Sequence, residues 1–238
     1  ETENLNLIQI ISNETHELEL FSETGMLQDG YNSISIRIKD NSTEEYIENA
    51  TLSWVPIMQM ENMQHSSPFS NVEKTPGKET LYNGYIIFQM PGNSSESWNI
   101  TLNYIIDGIS YSATDNLDVF PSEKRRTNVF TGLDGEKYIM AMLAPKAPKI
   151  GLNEMEVGVF KMENMMSFPI VDNYKVKIDP RMTSMGNHSS PNNTDLLQQG
   201  QNSFYTGNLS LTMTGFWRVN LQLLNASDEV IKGEAITE

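Results

Sequence analysis

Apolar and polar residues alternate one by one over much of the chain. Ile34, Ile36 and Ile38 share one side of Ser33–Ile38, and the same alternation runs through Glu17–Phe21, Ala50–Val55, Tyr85–Met90 and Trp98–Ile106. It resumes in Tyr138–Leu143, Glu154–Phe160, Tyr174–Asp179, Gly207–Met213 and Trp217–Leu223. A period of two sends successive side chains to opposite faces, so each segment predicts a half-buried strand. Asp29-Gly30, Asp40-Asn41, Pro91-Gly92-Asn93, Asp107-Gly108 and Asp134-Gly135 separate the segments with residues suited to tight turns. No stretch carries a capped i, i+3, i+4, i+7 apolar stripe, so the pattern predicts an all-β chain. Glu1 to Ser12 reads as a polar leader into the first strand, and His16 as a surface residue.

The pattern occurs twice. His65-Ser66-Ser67-Pro68 returns as His188-Ser189-Ser190-Pro191, and one offset carries Tyr82 to Tyr205, Gly84 to Gly207, Met90 to Met213 and Gly92 to Gly215. With small gaps, Gly30-Tyr31-Asn32 matches Gly151-Leu152-Asn153, Pro56-Ile57-Met58 matches Pro180-Arg181-Met182, and Trp98 matches Trp217. A period this long indicates duplication of a domain rather than a solenoid. The expected organisation is two tandem immunoglobulin-like β-sandwich domains, residues 1–122 and 123–238, joined in the polar stretch Pro121–Thr127 with a new strand entering near Asn128.

Composition narrows the partners. Of 238 residues 38% are hydrophobic and 20% charged, as in a folded domain. A net charge of −15 disfavours nucleic acid and anionic membrane surfaces. With no cysteine, thiolate zinc sites, thiol nucleophiles and disulfides drop out. No apolar run is long enough to span a bilayer, and the start at Glu1 reads as signal removal, lipid attachment or trimming. The nine Asn-x-Ser/Thr sequons follow from a chain rich in Asn, Ser and Thr.

Candidate chemistry sits on the repeat. Two of the three histidines, His65 and His188, stand directly behind methionines, in runs carrying Met58, Met60 and Met63 and carrying Met182 and Met185. Thioether sulfur is a soft, neutral donor suited to Cu(I), and imidazole suits both copper oxidation states and zinc. A Met/His set therefore favours copper over Mg²⁺, Ca²⁺ or structural Zn²⁺. The candidate ligands are Met58, Met60, Met63 and His65 at one site and Met182, Met185 and His188 at the other. Both runs are expected in loops past a strand end and its proline, where loop packing or a methionine-rich protein contact surface are the competing readings. Met90 and Met213 share strand parity with Ile86 and Phe88 and with Leu209 and Leu211, and read as core, as does Met155 beside Val157 and Val159. Met162, Met165 and Met166 form an edge loop that either adds a soft ligand or folds over the sandwich end. There is no Gly-x-Ser-x-Gly elbow and no phosphate-binding glycine loop, so no enzyme is expected.

The succession Pro-x-Met, Met near His, Tyr-x-Gly, then Met-x-Gly followed by Trp resembles the YtkA-like (FixH-like) family of bacterial extracytoplasmic β-sandwich modules. It covers Pro56, Met58, Met63, His65, Tyr82, Gly84, Met90, Gly92 and Trp98, and again Pro180, Met182, Met185, His188, Tyr205, Gly207, Met213, Gly215 and Trp217. The resemblance implies copper handling outside the cytoplasm, in the periplasm or at the envelope through an N-terminal lipid anchor, with a copper donor or acceptor protein as partner. Asn187 intervenes before His188 and Gln64 precedes His65, which implies different ligand geometry in the two copies or loss in one. The alternative is a metal-free immunoglobulin-like scaffold or protein-binding module, with Met63 and Met185 buried against their own sandwiches.

Overall fold

The structure, a computed structural model, describes residues 1–233. It divides into two compact units, one comprising Glu1–Arg125 with Asn164–Ser167, the other Arg126–Glu163 with the chain from Phe168 onward. Arg125 and Arg126 lie inside the polar stretch Pro121–Thr127. Among the described residues no helix is long and apolar enough to cross a membrane.

The first unit contains β1 (Asn6–Ser12), β2 (His16–Ser22), β3 (Leu27–Gln28), β4 (Gly30–Asp40), β5 (Thr51–Gln59), β6 (Gln64–His65), β7 (Glu73–Lys74), β8 (Tyr82–Phe88), β9 (Ser97–Ile106), β10 (Ile109–Leu117) and β11 (Val119–Phe120). One sheet runs β1-β2-β4-β8-β7 and the other β10-β9-β5-β6, with β11 and β3 as a short parallel pair. The second unit contains β12 (Thr127–Thr131), β13 (Lys137–Ala144), β14 (Gly151–Lys161), β15 (Lys175–Met182), β16 (His188–Ser189), β17 (Leu197–Gln198), β18 (Tyr205–Leu211), β19 (Arg218–Leu224) and β20 (Val230–Lys232). Its sheets run β12-β13-β14-β18-β17 and β16-β15-β19-β20, the same two orders. Each unit is a two-sheet antiparallel sandwich.

Alternation fills each core. Leu18, Leu20, Ile34, Ile36 and Ile38 meet Leu52, Trp54, Ile100 and Leu102 in one unit, and Met155, Val157 and Val159 meet Val176 and Leu223 in the other. Burying side chains of this size stabilises by roughly 1.5–3 kcal/mol each.

Repeated residues make repeated bonds. Asn32 Nδ2 donates to the Gln28 and Gly30 carbonyls while its Oδ1 accepts from the Gln28 amide, and Asn153 does the same with Lys149 and Gly151. Gly30 and Gly151 hold φ near +100°, at 105° and 99°, where a side chain would be strained. Tyr82 donates to the Glu48 carbonyl at 2.6 Å and accepts from the Ala50 amide, and Tyr205 donates to the Val171 carbonyl at 2.6 Å and accepts from the Tyr174 amide. Burial pushes both phenols up, Tyr205 to about 12, which keeps them protonated donors.

Three expectations are corrected. The supposed leader is largely strand: β1 pairs with β2, but as an edge strand with Leu7 and Ile10 exposed its inward residues, Ile8 and Ile11, do not alternate regularly. β8 and β18 end at Phe88 and Leu211, so Met90 and Met213 lie beyond the strands and are half-buried, Met90 still packed against the core. His16 is 4% exposed, edge-on to Tyr104 and Tyr111, with Nδ1 at 2.8 Å from the Thr15 hydroxyl and 3.2 Å from that of Tyr104. Burial lowers its pKa, and the Asp40 carboxylate partly opposes that shift.

Candidate functional site

The first methionine run is a β-hairpin. β5 and β6 pair so that Met58 stands opposite His65 and Gln59 opposite Gln64, and the Met60 amide donates to the Met63 carbonyl at 3.0 Å to close the turn. Met60 and Met63 lie beyond the strand ends, in the turn, with Met60 half-buried against the core and Met63 exposed. Directly opposed residues have Cβ atoms about 5 Å apart. Met58 and His65 thus share one face of the hairpin, with Met60 and Met63 in the turn beyond it.

Their exposure is graded along the hairpin. Met58 is fully buried in the core and Met60 packs against it half-buried, whereas His65 is partly open and Met63 is 47% exposed. Met58 is therefore not a loop residue, because β5 continues through Pro56 and three residues beyond it. Pro56 fits because its carbonyl remains free to accept, and it does so from the Ser66 hydroxyl at 2.7 Å.

His65 is fixed in one useful form. Its Nδ1 lies 2.7 Å from the Ser66 carbonyl, an oxygen that can only accept. Nδ1 must carry the proton, so the neutral ring presents its lone pair at Nε2, the arrangement metal-bound imidazoles commonly use. The ring stands perpendicular to Trp98 at 5.6 Å, and Trp98 pairs with Met58 from the other side, in β9. Trp98 is in turn held by its Nε1–H, which donates to the Met90 carbonyl.

The second run folds differently. β15 and β16 again set Met182 opposite His188, and Trp217 lies 6.2 Å from that ring with its Nε1–H donated to the Met213 carbonyl. Met182 is 2% exposed, an inward strand residue rather than a loop one, and its methyl sits 3.1 Å from where a Cβ on Gly215 would be. A 3₁₀ turn, Thr183–Met185, followed by Gly186 and Asn187 in the left-handed region, replaces the tight hairpin turn. It leaves Met185 59% exposed and outside the strand alternation. His188 is exposed, and its Nε2 lies 3.3 Å from the Thr212 hydroxyl. Residues 182 and 188 are thus brought together, and Met185 is not. Met165 and Met166 are exposed in the turn after β14.

The rest of the repeated motif is scaffold. After His65, Ser66 bonds back to β5, while the Pro68 carbonyl accepts from Ile87 and the Ser70 amide donates to Tyr85 in β8. The His-Ser-Ser-Pro segment is where the chain crosses from one sheet to the other. Gly84 and Gly207 stand where those crossings pass: a Cβ would lie 2.9 Å from the Asn71 carbonyl oxygen and 2.7 Å from that of Asp195. Trp98 and Trp217, at the rim of the His/Met pairs, carried no assigned role in the sequence, since cross-strand neighbours have no sequence spacing.

Among the described residues no group of three or more His, Cys, Asp or Glu side chains is placed to hold a metal ion. No family model matches the chain, and no curated protein matches it.

Proposed function

We propose that the chain is a non-enzymatic copper-binding protein that takes up Cu(I) on the β5–β6 hairpin of its first unit, through His65 Nε2 and the thioethers of Met63, Met60 and Met58. The carrying observation is the register that sets Met58 opposite His65 with the Nδ1 proton given to a backbone carbonyl. When bound, the ion supplies a transferable soft cation and performs no reaction. His65 donates a neutral lone pair, the exposed Met63 offers the entry ligand, and the buried Met58 and Trp98 keep water from the inner side. The second unit, with Met182 and His188 alone on one face, holds a weaker copy. This reading takes the two units as duplicated YtkA-like modules working outside the cytoplasm, buffering copper or passing it between a donor and an acceptor protein.

The exposure of Met63 and Met185 weighs against loops packed on their own sandwiches, and fits an entry ligand or a methionine-rich contact surface. Anaerobic Cu(I) titration against a competing chelator should show one tight equivalent that His65→Ala abolishes, and a weaker second that His188→Ala removes. Undiminished binding in the His65→Ala/His188→Ala double variant would refute the assignment.

A further inference from the structure

The outer face of the second unit's four-stranded sheet carries an arrangement with no counterpart in the first. Inward residues Pro180 and Met182 of β15 and Val219 and Leu221 of β19 leave Asp179, Arg181, Arg218 and Asn220 pointing outward. The register sets Arg181 directly opposite Arg218 and Asp179 opposite Asn220. With Thr183 and Asn187 these side chains line an open depression of about 310 Å³.

Like charges placed directly across two strands destabilise a sheet, and this chain carries only 16 basic residues against 31 acidic ones. Asp179 offsets one of the pair, taking Arg181 Nε at 2.8 and 2.9 Å, and the Asn187 carbonyl receives Nη1 at 3.4 Å. These contacts fix the Arg181 guanidinium in place. Arg218 is exposed, and its guanidinium has no hydrogen-bond or ion-pair partner among the described residues. Lys177 is exposed on the same outward face but does not line the depression, and its charge acts on Asp228. Asn220, Asn187 and Thr183 add neutral donors around the charges. At the matching register the first unit has Val55, Ile57, Asn99 and Thr101, none of them charged.

We propose that this depression binds a tetrahedral oxyanion, phosphate or a phosphate monoester, between Arg181 and Arg218. Two guanidiniums entering from adjacent strands address a tetrahedral anion from two sides, whereas a planar carboxylate is satisfied by one fork. The Arg181 charge is met by Asp179, so Arg218 supplies the uncompensated positive charge in the depression.

The test is titration of the full chain with inorganic phosphate at low ionic strength, followed by amide and guanidinium NMR. Saturable shifts centred on Arg218, Asn220 and Thr183 are expected, with affinity at least tenfold lower in Arg218→Gln. That substitution removes no internal contact, and circular dichroism checks that the fold is kept. Shifts no larger than those from chloride at equal ionic strength, or unchanged phosphate affinity in Arg218→Gln, would overturn the proposal. Acetate binding as tightly as phosphate would overturn the tetrahedral assignment.

Discussion

Two adjacent serines behave oppositely despite equal burial. The Ser66 hydroxyl donates to the Pro56 carbonyl, whereas the Ser67 hydroxyl, and that of Ser190 at the equivalent position, is buried with no hydrogen-bond partner in the protein. Removing one partner of a buried bond costs about 1–3 kcal/mol, while removing an unpaired hydroxyl relieves a desolvation cost. Urea unfolding should therefore show Ser66→Ala destabilised by about 1–3 kcal/mol and Ser67→Ala neutral or more stable. His16 makes a pH prediction. Its folded pKa lies below the ordinary value of 6.5, so between the two values the unfolded chain binds more protons. Stability is then full above pH 6.5 and declines as pH falls towards the folded pKa. The stability difference between wild type and His16→Gln, followed by denaturant titration from pH 7.5 to 5, should shift in favour of the variant as the pH drops.

At the scale of the element, turn length separates the two candidate sites. A four-residue turn with Met60 and Met63 as its first and last residues joins β5 to β6, whereas five residues, two of them left-handed and with Met185 in the middle, join β15 to β16. Met63→Ala should weaken Cu(I) binding about tenfold or more, equivalent to about 1.4 kcal/mol, and Met185→Ala should leave the tight equivalent unchanged. Competition against a chromogenic chelator reads both. Trp98 beside His65 adds an optical check: Cu(I) at the first site should quench Trp98 emission, and His65→Ala should abolish that quenching. The Tyr82 and Tyr205 bonds pin the connections into β5 and β15, so Tyr82→Phe, which leaves the Ala50 amide and Glu48 carbonyl without the hydroxyl, should cost about 1–3 kcal/mol in thermal or urea unfolding.

On the scale of the whole molecule, each unit owns its core. Every residue of the first cluster comes from Ile8–Val119 and every residue of the second from Phe130–Ile231. Residues 1–125 carry that whole core but not Asn164–Ser167, whose Met165 carbonyl accepts from the Ser66 amide at 2.8 Å, so this fragment produced alone should unfold cooperatively with that amide unpaired, which circular dichroism and denaturant titration would establish. What the sequence by itself determined is whatever is local: period-two alternation assigned Leu18, Ile34, Ile36, Trp98 and Val157 to strands, and the turn residues marked their ends. The edge strands β1 and β10 were not legible, since a strand paired on one side carries a weak apolar pattern. Nor was the difference between the methionines. Met58 and Met182 looked like loop residues but are strand residues facing the core, and only the register with β6, β9, β16 and β19 decides that. Cross-strand partners lie at arbitrary sequence separations and set which side chains meet. For that reason the Met58–His65 and Met182–His188 pairs, the Nδ1–H bond that frees His65 Nε2 and the Arg181–Arg218 juxtaposition belong to the tertiary structure.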